Sequence, residues 1–451
     1  MKFSGRILTA ATIAAFSLGC DAEPVATAAA STGPAPAPTV LITQQPVVTG
    51  AATDVGQSLA MNDPGGSAPV DVEVRAAQEW VRRVPGSTDK LVDLGRAWIA
   101  KARQANETGF YAHAKATAEL VLARDPENHM ARELLAQVRI NTHAFEEALA
   151  LCEEVLAKDA ESLVALAIKS DALYELGRNN EAITTADKLL ELKPNLASYT
   201  RAAFFQWLRG DLPEALKSSK FAIEASNDPA KPEPRAYALV QTANFFFHKG
   251  DYDGADEGYK QALKLVSDYP TALVGRGRVA TAKGEPKRAV EFLSVAFKAA
   301  PHADTAWRLG DARAASGDEA GAAEAYGKVS EIGKDDDKRT VSLYLSTKNL
   351  QSEQALALAN AEMKIRPGVY TQDALAWALY RNGKFEEAKA ASDKATKLGT
   401  KDALLIYHAG AIDIALGKVD EGKAKIKQAL ELNPQFDPTA AVEAKVLLEK
   451  E

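Results

Sequence analysis

The chain has 451 residues, more than one compact core usually holds, so it forms either several globular domains or one array that lengthens without enlarging a core. Apolar residues make up 46% and charged residues 25%, an ordinary soluble composition whose apolar share is rich in the helix formers Ala and Leu. A net charge of −7 with no Lys/Arg run longer than two argues against a nucleic-acid surface, and two cysteines, Cys20 and Cys152, exclude a disulfide scaffold.

In chain order, Lys2 and Arg6 precede a short apolar stretch from Ile7 to Leu18, too short to span a membrane. It ends in Ser17-Leu18-Gly19-Cys20, which resembles the lipobox of bacterial lipoproteins, with Ser17 where that motif usually has Leu. The resemblance implies that 1–20 is a signal peptide cleaved before Cys20, and that Cys20 carries lipid and holds the protein at the membrane, facing the periplasm. Cleavage by ordinary signal peptidase, leaving a soluble periplasmic or secreted chain, is the alternative, and an uncleaved anchor is the third. Residues 21–70 are rich in Ala, Pro and Thr with almost no charge, the composition of a disordered tether with a reach of about 40 Å. A leading cap helix is expected over 71–87, with Ala77, Trp80, Val81 and Val84 in one stripe.

From there the sequence repeats in steps of about 34 residues. In the clearest unit Gly177 stands at place 15, Ala182 at place 20, Ala186 at place 24, Leu189-Leu190 at 27 and 28, and Pro194 at place 32. Earlier and later units repeat it, with Ala148, Cys152 and Val155 before, then Gly277, Gly284, Ala289, Leu293 and Pro301, and finally Gly410, Gly417, Ile426, Ala429 and Pro434. Small residues at places 8 and 20 allow close helix approach, and glycine at 15 ends the first helix of each pair. Cys152 reads as a small buried hydrophobe. The pattern resembles the tetratricopeptide repeat over 88–434, which implies an all-α, right-handed α-solenoid of about ten helix–turn–helix units. A C-terminal capping helix is expected over 435–451, started by Asp437-Pro438, with Glu443, Lys445 and Glu449 among its polar residues. Three interruptions, near Lys101 to Thr108, Ser226 to Pro234 and Gly333 to Arg339, are expected as loops, and Asp335, Asp336 and Asp337 as a solvated run.

The family resemblance also implies a concave face lined by the first helix of each unit. Carrying its inward places across gives Arg201, Phe204 and Trp207 in unit four, and Tyr237, Asn244, Phe247 and His248 in unit five. Units six and seven give Arg278, Trp307 and Arg308, and units nine and ten give Trp377, Tyr380, Tyr407 and His408. Gln241, Asp311, Tyr370 and Arg381 fall on the same places. Aromatics and Arg are the types that dominate binding hot spots, although each is equally well read as packing between helices. The Lys/Asn/Lys/Arg set with which some family members clamp a terminal carboxylate is absent, so an extended or helical partner segment along the groove is the expectation.

No HExxH, paired CxxC, P-loop or GxSxG motif occurs. The six histidines, His113, His129, His143, His248, His302 and His408, lack ligand spacing. The chain is therefore expected to be no enzyme and to need neither metal nor cofactor. The reading is a protein-binding scaffold or assembly factor of the bacterial cell envelope, with membrane contact through the N-terminal lipid only and no nucleic acid. A soluble adaptor without lipid is the alternative, and an enzyme with an unrecognised site the remote one.

Overall fold

A computed structural model of the chain describes residues 56–105, 107–229 and 231–449. The expected signal peptide with Cys20, and the expected tether up to residue 55, lie outside the described residues. Every regular element among the described residues is helical. After a short helical segment at 56–60 and a leading helix, Pro69–Arg83, ten helix pairs follow one another.

The pairs are Thr88–Ala105 with Phe110–Arg124, His129–Asn141 with Phe145–Leu156, Leu163–Glu175 with Asn179–Leu192, Leu196–Leu208 with Leu212–Ala225, and Pro232–His248 with Tyr252–Leu265. The second half continues with Pro270–Ala282 and Pro286–Ala299, Ala303–Ala315 and Glu319–Asp336, Lys338–Thr347 and Ser352–Met363, Val369–Arg381 and Phe385–Thr396, then Ala403–Ala415 and Val419–Leu432. A last helix, Ala440–Glu449, closes the array.

Local chemistry sets the boundaries. Asn195 caps unit four in a reciprocal box: its Oδ1 accepts from Ser198 N at 3.0 Å while Ser198 Oγ accepts from Asn195 N at 2.8 Å. Asp211, Asp251 and Asp318 cap second helices with the one-sided bond alone, each carboxylate accepting from the amide three residues on, of Glu214, Gly254 and Gly321. The residue at place 15 takes a left-handed backbone in most units, as at Gly177 with φ 72°. Unit two makes that turn with His143 at φ 61°, a conformation that favours glycine.

The place-20 alanines explain the pair geometry. Ala148, Ala182, Ala215, Ala255, Ala289, Ala355 and Ala388 are fully buried. A Cβ on Gly310 at place 8 would lie 2.4 Å from the ring of Tyr326, so only glycine lets that pair close. Cys152 is buried in the core of units two to four. Leu293, also fully buried, contributes roughly 1.5–3 kcal/mol by leaving water.

Several details differ from the sequence reading. The extra residues of unit one prolong its first helix to Ala105 instead of forming only a loop, and those of unit seven prolong its second helix to Asp336. Asp337 is buried, not solvated: it caps the next helix through Thr340 N and lies 3.5 Å from Arg366. The leading helix buries Val70, Val74, Gln78 and Val81, while Trp80 and Val84 turn outward. Trp80 instead receives Arg83 and Lys90 over its ring, at 5.5 and 5.9 Å. Residues 56–62, inside the expected tether, are docked. Ala60 is buried, its carbonyl accepts from Trp98 Nε1 at 2.9 Å, and the Leu59 carbonyl lies 2.7 Å from His113 Nδ1.

The array also meets itself. The turn inside unit three touches the junction of units eight and nine, where a Cβ on Gly177 would lie 2.9 Å from the Pro367 carbonyl oxygen. The turn of unit four touches the junction of nine and ten, and Thr400 Oγ1 donates to Leu208 O at 2.7 Å. The turn of unit five touches the end of unit ten, where Asn433 Nδ2 donates to Phe247 O at 2.8 Å and its Oδ1 accepts from Tyr252 at 2.5 Å. Each step along one stretch of the array is matched by one step along the other, so the contact is a seam.

Candidate functional site

The seam decides what the inner face can do. Phe204, Trp207, Tyr237 and Phe247 are all buried, and His248 is half-buried. Trp207 lies at the centre of this cluster, with ring centroids 6.1 Å from Phe204, 5.7 Å from Phe245 and 5.0 Å from His248. Tyr370 of unit nine stacks on it from across the seam, at 6.4 Å and 17°. The inner face of units four and five is thus a core between two stretches of the array, and not the open groove the family resemblance implied. The physical reason is that the superhelix brings a second wall against it and excludes water.

The charged members of this face are paired inward. Arg201, 1% exposed, forks onto Asp171 with Nε–Oδ1 at 2.9 Å and NH2–Oδ2 at 2.6 Å. Arg366 is fully buried beside Glu362 and Asp337. Glu175, buried against the same junction, is pushed up to about 7 by burial, with Arg366 and Arg339 opposing. Burial, with Arg366, Arg339 and Lys338 adding to it, holds His143 down at about 3. Burial also lowers His248, whose Nδ1 lies 3.5 Å from Asp402 across the seam, with Asp402 opposing the shift.

Units nine and ten turn their aromatics against each other and the last helix. Trp377 is stacked by Tyr380 at 4.6 Å and by His408 at 4.1 Å. Fully buried His408 sets Nδ1 2.9 and 3.0 Å from the oxygens of Asp373. Tyr407 donates to Glu443 at 2.9 Å, and one Arg381 nitrogen, NH2, reaches both oxygens of the same carboxylate at 3.0 and 2.7 Å. The sequence reading placed Glu443 among the polar residues of the terminal cap. Here it is drawn inward by Arg381, so the last helix lies against the inner face.

The inner wall of units six and seven is different. Arg278 and Arg308 are half-buried there, while Trp307 is buried edge-on to Tyr344 at 5.5 Å. Asn244 Oδ1 accepts from Tyr259 at 2.7 Å. A small cleft, partly open to solvent, lies between Phe247, Arg278, Thr281, Arg308, Asp311 and Phe436. The structure thus brings Phe247, Arg278 and Arg308 of the expected set together at one accessible place and seals the unit-four members elsewhere. Sequence reasoning missed Phe436, Thr400 and Asn433, which lie in junctions and carry no inward place in the repeat.

Among the described residues no group of three or more His, Cys, Asp or Glu is placed to hold a metal. No helix among them is long and apolar enough to cross a membrane.

Models of the tetratricopeptide repeat match residues 99–162, 141–203 and 240–304. A TPR repeat-containing protein of Bacillus subtilis, YpiA, is 24% identical over 277 residues, covering 60% of this chain and 64% of that protein, so the chain spans less than two thirds of that relative's length. Among solved structures, a tetratricopeptide repeat protein from Parabacteroides merdae aligns with TM-score 0.42 and 16% identity, over 57% of this chain and 98% of that one. The type IV pilus biogenesis factor PilW aligns with TM-score 0.39 and 19% identity over 45% and 92%. Human IFIT1, solved as a dimer with PPP-AAAA, aligns with TM-score 0.46 and 15% identity over 84% and 94%.

Proposed function

Because the chain is a tetratricopeptide-repeat protein, we propose that it is a non-catalytic scaffold of the bacterial cell envelope that binds a protein partner on its inner wall at units six and seven. The observation that carries this is the contrast along that wall: units four and five are sealed by the seam, while the cleft beside Arg278 and Arg308 stays accessible. Aromatic and guanidinium groups at the edge of a cleft supply both apolar area and directional donors, the usual content of a protein hot spot. The partner engages this face as an extended or helical segment.

Export rests on Lys2, Arg6 and the apolar stretch to Leu18, and anchoring on Gly19-Cys20. Acyl chains contribute roughly 0.8 kcal/mol per buried CH₂, and stable anchoring needs more than one, a condition that a fully processed lipoprotein meets.

A photo-crosslinking residue placed in turn at Thr281 and Ala282 of the inner wall, and at exposed Thr184 on a second helix, tests the scaffold reading. Discrete protein adducts in envelope extract are expected from the inner positions only. Equal adducts from Thr184, or none from the inner pair, remove it. Mass spectrometry of the mature N-terminus tests the anchor, since an unacylated start beyond Cys20 leaves a soluble adaptor.

A further inference from the structure

The seam is the thinnest interface of the array, and it seals in an acid that nothing answers directly. Extensive helix packing is confined to helices next, or next but one, in the chain. The two walls of the seam therefore meet through turns, junctions and the stack of Trp207 on Tyr370. Glu175 stands at one of these contacts: a Cβ on Gly368 of the opposite wall would lie 3.2 Å from the Tyr174 carbonyl oxygen and 4.0 Å from Glu175 Cα. Glu175 is 3% exposed, and among the described residues its carboxylate has no hydrogen bond or ion pair.

The groups that face it from the surrounding elements have other partners or carry no charge. On its own helix Asp171 is forked by Arg201 of unit four. Across the seam Glu362 and Asp337 share Arg366. Lys338 and Arg339 are half-buried, and Lys338 donates to the Asp335 carbonyl. Asp373 of unit nine is held by His408 Nδ1 at 2.9 Å. His143, from the turn of unit two, is held neutral by burial and the three nearby cations, and burial keeps Tyr174 and Tyr370 protonated. Arg366 and Arg339 act on Glu175 without pairing with it. Arg366 NH1 and Asp337 Oδ2 are themselves buried without hydrogen bonds, so the closed contact holds dry polar groups of both signs.

A carboxylate sealed in this way is costly, so closing the seam favours a proton on Glu175. Closed, the group sits at about 7; opened to water, it returns to its ordinary 4.5. Closure is then fully supported below about pH 4.5, loses support as pH rises to about 7, and levels off above. A small change of rotation per unit, summed over the units between the walls, is enough to part them.

We propose that the seam is a proton-operated clasp, closed with Glu175 protonated and loosened as Glu175 ionises, and that its opening bares the aromatic wall of Phe204, Trp207 and Tyr370. The clasp is independent of the scaffold reading, because it acts on a wall that the closed array hides, whether or not units six and seven bind a partner.

Amide exchange of the purified full chain at pH 5 and pH 8, read by mass spectrometry and divided by the intrinsic rate at each pH, tests it. Protection in the helices Leu163–Glu175, Leu196–Leu208 and Val369–Arg381 is expected to fall by about tenfold to a hundredfold from pH 5 to pH 8. The helix Phe110–Arg124 of unit one, away from the seam, keeps its protection. Glu175→Gln has the shape of the protonated acid and keeps the seam helices protected at both pH values. Equal protection of the seam helices at pH 5 and pH 8 overturns the clasp. So does an equal loss in Phe110–Arg124, which marks whole-chain destabilisation, or the same pH response in the Gln variant.

Discussion

The inner faces of units three to five and of units six to seven are built from the same repeat places, yet they have opposite fates. The first meets a second wall: Trp207 is 4% exposed with Tyr370 stacked across the seam, and Thr400 and Asn433 bond to main-chain carbonyls at the ends of first helices. The second faces a cleft, partly open to solvent, with the Arg278 guanidinium stacked on Phe247 at its wall. The difference lies in what the superhelix delivers opposite each unit. One stretch of the wall therefore works as core and the next is free to work as surface.

The largest effect expected from this contrast is at Trp207. Trp207→Ala leaves a cavity between two stretches of the array and costs about 3–5 kcal/mol, read as a fall in the urea midpoint. Thr281→Ala on the open stretch stays within about 0.5 kcal/mol. Amide exchange in the 369–381 helix should accelerate with the Trp207 variant, and unchanged exchange there would deny the seam.

A smaller and cleaner comparison uses two glycines with the same backbone. Gly284 has φ 72° and nothing within 4 Å of a built Cβ, so Gly284→Ala costs about 1–2 kcal/mol from the left-handed conformation alone. Gly210 has φ 77°, but its Cβ would lie 2.5 Å from the Gly399 carbonyl oxygen. Gly210→Ala therefore costs about a further 1–3 kcal/mol for pushing the seam apart. Equal losses in thermal unfolding would mean that the seam yields freely.

The most condition-dependent effect is a pH slope at Glu175. Its folded value of about 7 lies above its ordinary 4.5, so the native state holds a proton that the unfolded chain releases between those values. Stability is then full below about pH 4.5, falls as pH rises to about 7, and stays lowered above it, by on the order of 1–3 kcal/mol. Glu175→Gln flattens that slope and stabilises the protein at pH 8. Denaturant midpoints at pH 5 and pH 8 for both proteins check the sign.

The repeat was legible because its signals are local. Gly177, Ala182 and Pro194 each act within one helix pair, and their spacing recurs in sequence in most units of the array. The inward places were legible for the same reason, since a helix face follows from a period of 3.6. What lies opposite an inward place was not legible. It depends on the small rotation between neighbouring units, summed over about half the array, and no single unit encodes that sum. Asp337 shows the same limit on a small scale: in a run of three aspartates, its burial beside Arg366, 29 residues on, sets it apart from its exposed neighbour Asp335. Glu443 of the last helix reads in sequence as polar cover, and only Arg381 and Tyr407, brought beside it by the fold, draw it inward.

The seam also gives the chain a history. Thr400 follows Leu208 by 192 residues, and Asn433 follows Phe247 by 186. Chains are made at about 5–20 residues per second, so the aromatic wall of units four and five stays wet for roughly 10–40 s after its own helices are complete. During that interval Trp207 and Phe204 form an apolar patch on an array that already has its helices. A nascent chain in this state needs shielding from its neighbours, and low expression temperature or a co-produced holdase should raise soluble yield. A version of the chain ending before unit eight would carry the same exposed wall permanently and is the form most prone to aggregate.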